Sequence, residues 1–183
     1  MRSTCNSRHV GAVIVKNGRI IATGFNGALH NAPHCNEKSE TKPHNSDTFC
    51  LRRAIGATDA QKYQYCAGNH AEANAITQAS RFGIALDGAE LYSTLEPCNW
   101  CIKQMVQSGI TTCYYSGEYE TSHNNTHGSV DGNRSADIDV SWRRSVIHNG
   151  FTLTQIEITP DTVRQAERAL WNTSGRRILW PKQ

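Results

Sequence analysis

The stretch His70-Ala71-Glu72-Ala73-Asn74-Ala75-Ile76, followed by Ala89-Glu90-Leu91-Tyr92-Ser93-Thr94-Leu95 and then Glu96-Pro97-Cys98-Asn99-Trp100-Cys101, decides how this chain folds. Residues 70–80 are rich in Ala and hold neither Gly nor Pro, which predicts a helix opened by the His70 triplet. After the Asp87-Gly88 turn, residues 89–95 read as a buried strand, and Glu96-Pro97 stops it before a second helix over 98–108. Cys98, Cys101, Ile102, Met105 and Val106 recur at helical spacing, which turns both thiols to one inward face and makes Met105 core filler.

One imidazole and two thiols are borderline-to-soft ligands suited to zinc, and three protein ligands leave a fourth position open, as catalytic rather than structural sites do. Both thiols lie in the first turn of their helix, where the positive end of the helix dipole favours thiolate. Glu72 sits two residues past His70. That is too near along the chain for a comfortable fourth ligand, yet near enough to reach water at the open position, where a general acid/base belongs. Each half alone is ordinary, since a Cys-x-x-Cys pair also serves redox chemistry or half of a zinc ribbon. The two halves together, 24 residues apart and with Pro97 directly before Cys98, carry the catalytic-zinc reading.

Working outward, 183 residues fit one domain, 1–183, that buries a core without disulfide staples. The longest apolar run, residues 10–15, is far too short to cross a bilayer, so no membrane association is expected. Met1-Arg2-Ser3-Thr4 leads almost directly into a strand pattern, without the apolar core of a secretory signal, and the expected location is cytoplasmic. Seven cysteines, an odd number, read as reduced thiols and metal ligands. The net charge of +3 is spread over isolated pairs such as Arg52-Arg53 and Arg143-Arg144. The charge itself is compatible with a small anionic substrate as easily as with nucleic acid, whereas isolated pairs read as solvated surface and not as a polyanion stripe, so nucleic acid is not the expected partner.

Residues 9–15 and 19–26 are strand-like and joined by Lys16-Asn17-Gly18, a hairpin signal. The polar, turn-rich stretch 27–68 is long enough to need something to hold it. Cys5, Cys35, Cys50 and Cys66 surround it: four thiolates can close a structural zinc site, with His34 able to replace one, while the simpler use is as small buried hydrophobes. Beyond Gly109 the pattern predicts a strand over 111–116, a polar loop over 117–137, a short helix over 141–148 and a strand over 152–158. A last helix over 160–172 follows, capped by Thr159, and then a packed or frayed tail over 175–183. The order predicts an α/β fold, a three-layer α/β/α mixed sheet with an opening β-hairpin and helices on both faces.

The His-x-Glu and Pro-Cys-x-x-Cys pair is the signature of zinc-dependent nucleobase deaminases. With Ser3-Thr4-Cys5, residues 10–15, Thr23-Gly24-Phe25-Asn26-Gly27, Pro33-His34-Cys35 and residues 91–98, the chain resembles the deoxycytidylate (dCMP) deaminases of the cytidine deaminase superfamily over residues 3–115. Residues 91–98 also resemble tRNA adenosine deaminases, so the selective features are the cysteine-bearing insert and the loop around Asn26. The resemblance implies zinc-dependent hydrolysis of a free deoxycytidine nucleotide, dCMP to dUMP and ammonia, feeding thymidylate synthesis. It implies a catalytic zinc on His70, Cys98 and Cys101, with Glu72 carrying protons. It also implies that Asn26 contacts the sugar, that the Ala71 N–H donates to the base O2, and that Cys5, Cys35, Cys50 and Cys66 match the second-zinc ligands of some members. Such relatives are often hexameric homo-oligomers regulated by dCTP and dTTP.

Two departures stand out. The family's helix of about twenty residues before the first strand has no counterpart ahead of residue 3, so the C-terminal helix or a neighbouring subunit is expected to cover that face. Residues 116–183 match poorly, so no phosphate contact transfers from there. Two thiolates and a neutral imidazole leave a zinc formally neutral, which acidifies water less than a three-His site (bound-water pKa about 7) and calls for the base that Glu72 supplies. Two other functions fit the motifs: an editing deaminase of tRNA or single-stranded DNA, which needs a basic groove, and a silent zinc-stabilised nucleotide-binding regulator, which needs Glu72 out of place.

Overall fold

Asn17 and Gly18 take φ of 52° and 70°, the left-handed values a two-residue turn requires, and join β1 (Gly11–Lys16) to β2 (Arg19–Phe25) as the expected antiparallel hairpin. The computed structural model describes residues 3–37, 50–58, 61–117, 145–147 and 150–165. After the hairpin come β3 (Gly27–Ala28), α1 (Leu51–Ala54), α2 (Lys62–Tyr65), β4 (Gly68–Asn69) and α3 (Ala71–Arg81). β5 (Glu90–Leu95), α4 (Asn99–Gln107), β6 (Thr112–Gly117) and β7 (Thr152–Gln155) complete the order. Five strands form one sheet in the order β2-β1-β5-β6-β7, and β3 pairs with β4 separately. β1 runs antiparallel to β2 and β5, whereas β5, β6 and β7 run parallel, so the sheet is mixed as the sequence predicts.

Strand register explains the core. Ala22, Ile14, Leu91, Cys113 and Leu153 pair successively across all five strands, and the first four are buried. α3 and α4 lay Ala71, Ala75, Ala79, Ile102 and Met105 into the same cluster. Each fully buried Ile, Leu or Met contributes about 1.5–3 kcal/mol of transfer free energy, so this row anchors both helices. The row one residue over, Thr23, Val13, Tyr92, Tyr114 and Thr154, is half-buried or exposed, with Tyr92 stacked on Tyr114 at 4.8 Å between ring centroids.

The strand expected over 152–158 stops at Gln155, where the ladder ends with the Ile156 N–H donating to the Tyr115 carbonyl at 2.7 Å. Thr159 caps the following helix as expected, its Oγ1 accepting from the Thr162 N–H at 3.1 Å, and residues 160–165 are helical. The remainder of that helix, the loop beyond Gly117, most of the 141–148 helix and the tail lie outside the described residues. Among the described residues no helix is long and apolar enough to cross a membrane.

Candidate active site

α3 is seated by β2. A Cβ on Gly24 would lie 2.1 Å from the Ala71 carbonyl oxygen and 2.5 Å from the Ala75 nitrogen, so glycine is what lets the strand and helix backbones touch. Asn74 Nδ2 donates to the Phe25 carbonyl at 2.8 Å while its Oδ1 accepts from Asn69 Nδ2 at 3.1 Å, tying the start of α3 to β2 and β4. His70 is the extended N-cap residue of α3, and Cys98 that of α4, with Cys101 one turn further on. Both helices therefore point their N-termini, and their positive dipole ends, at the same place.

His70 Nδ1 lies 3.4 Å from Cys98 Sγ and 3.5 Å from Cys101 Sγ. Tetrahedral zinc with ordinary bond lengths separates its N and S ligands by about 3.6 Å. The donor set fits that metal. Among the described residues, these three are the group of His, Cys, Asp or Glu whose ligand atoms gather, all within 4.8 Å of one another. Glu72 stands beside them, 3% exposed, its Oε1 accepting from Ser93 Oγ at 3.3 Å and its Oε2 from the Cys101 thiol at 3.7 Å. Burial holds the Glu72 carboxyl above the usual range, against the lowering influence of its own N–H and of His70. Neighbouring Cys98, burial and Glu72 push the Cys101 thiol up in the same way. Such crowding of acidic groups opposes ionisation until a cation enters, and a divalent metal deprotonates coordinating thiols outright. The cluster opens on a cavity of about 900 Å³, mouth included, that His70, Ala71, Glu72, Leu95 and Cys98 help to line.

Residues 1–117 match the family described as the cytidine and deoxycytidylate deaminase zinc-binding region. The chain belongs to this deaminase family. It is 37% identical over 161 residues to the deoxycytidylate deaminase of Enterobacteria phage T2, covering 75% of this chain and 82% of that one. It is 41% identical over 122 residues to ComE operon protein 2 of Bacillus subtilis, covering 66% of this chain and 54% of that protein, and so spans about half of that relative. The dCMP deaminase from the cyanophage S-TIM5, solved with dCMP and dUMP, superimposes with a TM-score of 0.52 at 25% identity over 82% of each chain. Fold and family agree on a deaminase hydrolase.

The deaminase site does not treat every predicted residue alike. Asn26 lines the cavity, but its Oδ1 accepts from Ser3 Oγ at 2.5 Å and from the Val10 N–H at 2.8 Å, and its Nδ2 donates to the Arg8 carbonyl at 2.8 Å. One Nδ2 hydrogen remains for a ligand. Ala71 is fully buried as the first residue of α3, where the N–H has no partner within the helix. Cys5, Cys35, Cys50 and Cys66 all line the same cavity as His70 and Cys98, without gathering into a metal-sized group of their own. Burial, which raises the Cys50 pKa, is outweighed by hydrogen bonds from Arg53 and by the charges of Arg53 and Arg52, which lower it. Sequence reasoning missed Ser93, Asn74 and Gly24. Ser93 was findable, because strand alternation places it inward beside Leu91, and an inward hydroxyl needs a partner. Nothing local distinguishes Asn74 from a surface amide.

Proposed function

We propose that this chain hydrolyses dCMP to dUMP and ammonia. The observation that carries the reading is the buried Glu72 carboxylate set against the His70–Cys98–Cys101 trio on a cavity wall. The phage T2 relative's name and the S-TIM5 structure with dCMP and dUMP support the substrate. Zinc, when bound by His70 Nδ1 and the two thiolates, supplies Lewis-acid activation of water. The chain's own task is proton traffic. Glu72 takes one proton from the attacking water as the C4–O bond forms and delivers it to N3. It then carries the second to the exocyclic amine, so that the C4–N bond breaks with ammonia as leaving group. Ser93 Oγ, bound to Oε1, leaves Oε2 facing the ligand trio, and so acts as a positioning residue.

The same reading assigns Cys5, Cys35, Cys50 and Cys66 to a second, structural zinc, and extends to a cytoplasmic homo-oligomer responsive to dCTP and dTTP. Ammonia release measured over dCMP, dCTP, cytidine, tRNA and single-stranded DNA tests the substrate. The expected outcome is turnover of dCMP well above every oligonucleotide, and robust oligonucleotide deamination with inert dCMP would overturn it.

A further inference from the structure

The cavity carries charge that the deamination chemistry does not use. Among the described residues lining it, the permanent cations are Arg8, from the segment before β1, and half-buried Arg52, on α1. Two chain segments far apart in sequence are pinned to bring them to one cavity. Arg53 Nη2 donates to the Asn6 carbonyl at 3.0 Å, and Asn6 Nδ2 donates to the Cys35 carbonyl at 2.7 Å, which docks α1 and the Cys35 loop onto residues 3–10. Asn26 completes the arrangement from the other side, since its amide holds the Arg8 carbonyl and the Val10 N–H together. The arginines and the acidic groups of the cavity come from different parts of the chain: Glu72 belongs to α3, and Glu96, which also lines the cavity, belongs with Cys98 to the β5–α4 connection.

Resting on the dCMP reading above, we propose that Arg8 and Arg52 grip the 5′-phosphate of the substrate, and that Asn26 is a positioning residue which fixes the backbone carrying Arg8. The chemistry suits the task. A phosphate monoester carries close to two negative charges near neutral pH, with a second pKa of about 6. Guanidinium stays charged at any working pH and offers paired N–H donors matched to phosphate oxygens. Two such groups on a largely apolar cavity discriminate a nucleotide from its nucleoside, which the zinc site cannot do, because both present the same base to it. Asn26 thereby acts on the far end of the substrate through Arg8, rather than only through the sugar.

The test compares phosphorylated and unphosphorylated partners of one base in Arg8→Gln, Arg52→Gln and Asn26→Ala proteins. Steady-state kinetics are measured with dCMP and with deoxycytidine, and calorimetric affinity with dUMP and with deoxyuridine. Each arginine substitution is expected to raise KM for dCMP and Kd for dUMP by about tenfold or more, with kcat and the deoxycytidine and deoxyuridine values nearly unmoved. Arg52→Lys should recover part of the loss. Asn26→Ala should reproduce the Arg8→Gln pattern, with a larger loss for the nucleotide than for the nucleoside. Equal losses for both partners, or none, would overturn the assignment. If the wild type deaminates neither compound, the proposed function fails while the dUMP and deoxyuridine affinities still decide the arginines. A wild type that binds both alike refutes them.

Discussion

At the scale of single residues, Glu72 is the group whose replacement separates chemistry from structure. Glu72→Gln keeps the size and the hydrogen bond from Ser93 while removing the oxygen that must accept and return protons. We expect kcat for dCMP to fall by at least about 10²- to 10⁴-fold with zinc content and folding retained, since one group serves both proton transfers. His70→Ala should lose zinc as well as rate, because it removes one of the three proposed ligands. Metal analysis beside kcat reads both variants, and a zinc-free Glu72→Gln protein would make Glu72 a ligand instead of a shuttle. Cys113 gives a separate, pH-dependent prediction. Burial, aided by the Glu72 charge, pushes its thiol up to about 12 from 9.0. A folded value above the unfolded one means the contribution to stability is complete below pH of about 9 and is lost as pH rises toward about 12, on the order of 4 kcal/mol in all. Urea midpoints between pH 8 and 11 should therefore fall more steeply for wild type than for Cys113→Ala, and parallel curves would refute this account.

Elements matter here through where their ends point. Two helix N-termini meet because β2 admits α3 to backbone contact at Gly24 and because Cys101, Ile102 and Met105 bury one face of α4. Gly24→Ala would drive a methyl into backbone atoms of Ala71 and Ala75 that cannot rotate away. A destabilisation of about 1–3 kcal/mol is expected, together with a fall in kcat larger than that of an exposed β2 substitution such as Ile20→Ala, because α3 carries both His70 and Glu72. An unchanged kcat in Gly24→Ala would show that the helix relaxes without moving the site. The hairpin, α3, β5, α4 and β6 were all legible in the sequence, because periodicity and the Asn17-Gly18, Asp87-Gly88 and Gly109 punctuation are local signals. The helices and strands inside residues 27–68 were not, since β3 and β4 are two residues each and gain their pairing only from one another. For the same reason the grouping of His70, Cys98 and Cys101 was readable from spacing, whereas Ser93, Gly24 and Asn74 act through contacts 21 to 51 residues away in sequence.

On the scale of the whole molecule, the chain divides into a sheet whose core is self-sufficient and a wall of thiols that encloses the cavity. The Ile14–Leu91–Cys113 row and the helices on it make no use of Cys5, Cys35, Cys50 or Cys66. Those four come from four separated segments, which are tied to one another by hydrogen bonds that include Asn6 to Cys35, Arg53 to Asn6 and Leu29 to Ala67. Polar segments that contribute no residue to the buried core open locally at less free-energy cost than the core unless something cross-links them. Structural zinc binding is worth about 10 kcal/mol or more in small zinc peptides, enough to act as that cross-link. On the proposal of a second zinc, the metal has to draw together thiols that do not gather by themselves; the purified protein then holds two zinc ions per chain, and Cys50→Ser or Cys66→Ser leaves one. Hydrogen exchange is expected to quicken in residues 27–68 of these variants while β1, β5 and β6 stay protected, since their core lacks any share in the thiol wall. Nucleotide binding should weaken as well, because Cys50 and Arg52 share α1's N-terminal turn and line the same cavity. A single zinc in wild type, with exchange indifferent to either serine substitution, would mean the thiols are ordinary cavity lining and that side-chain packing alone holds the wall.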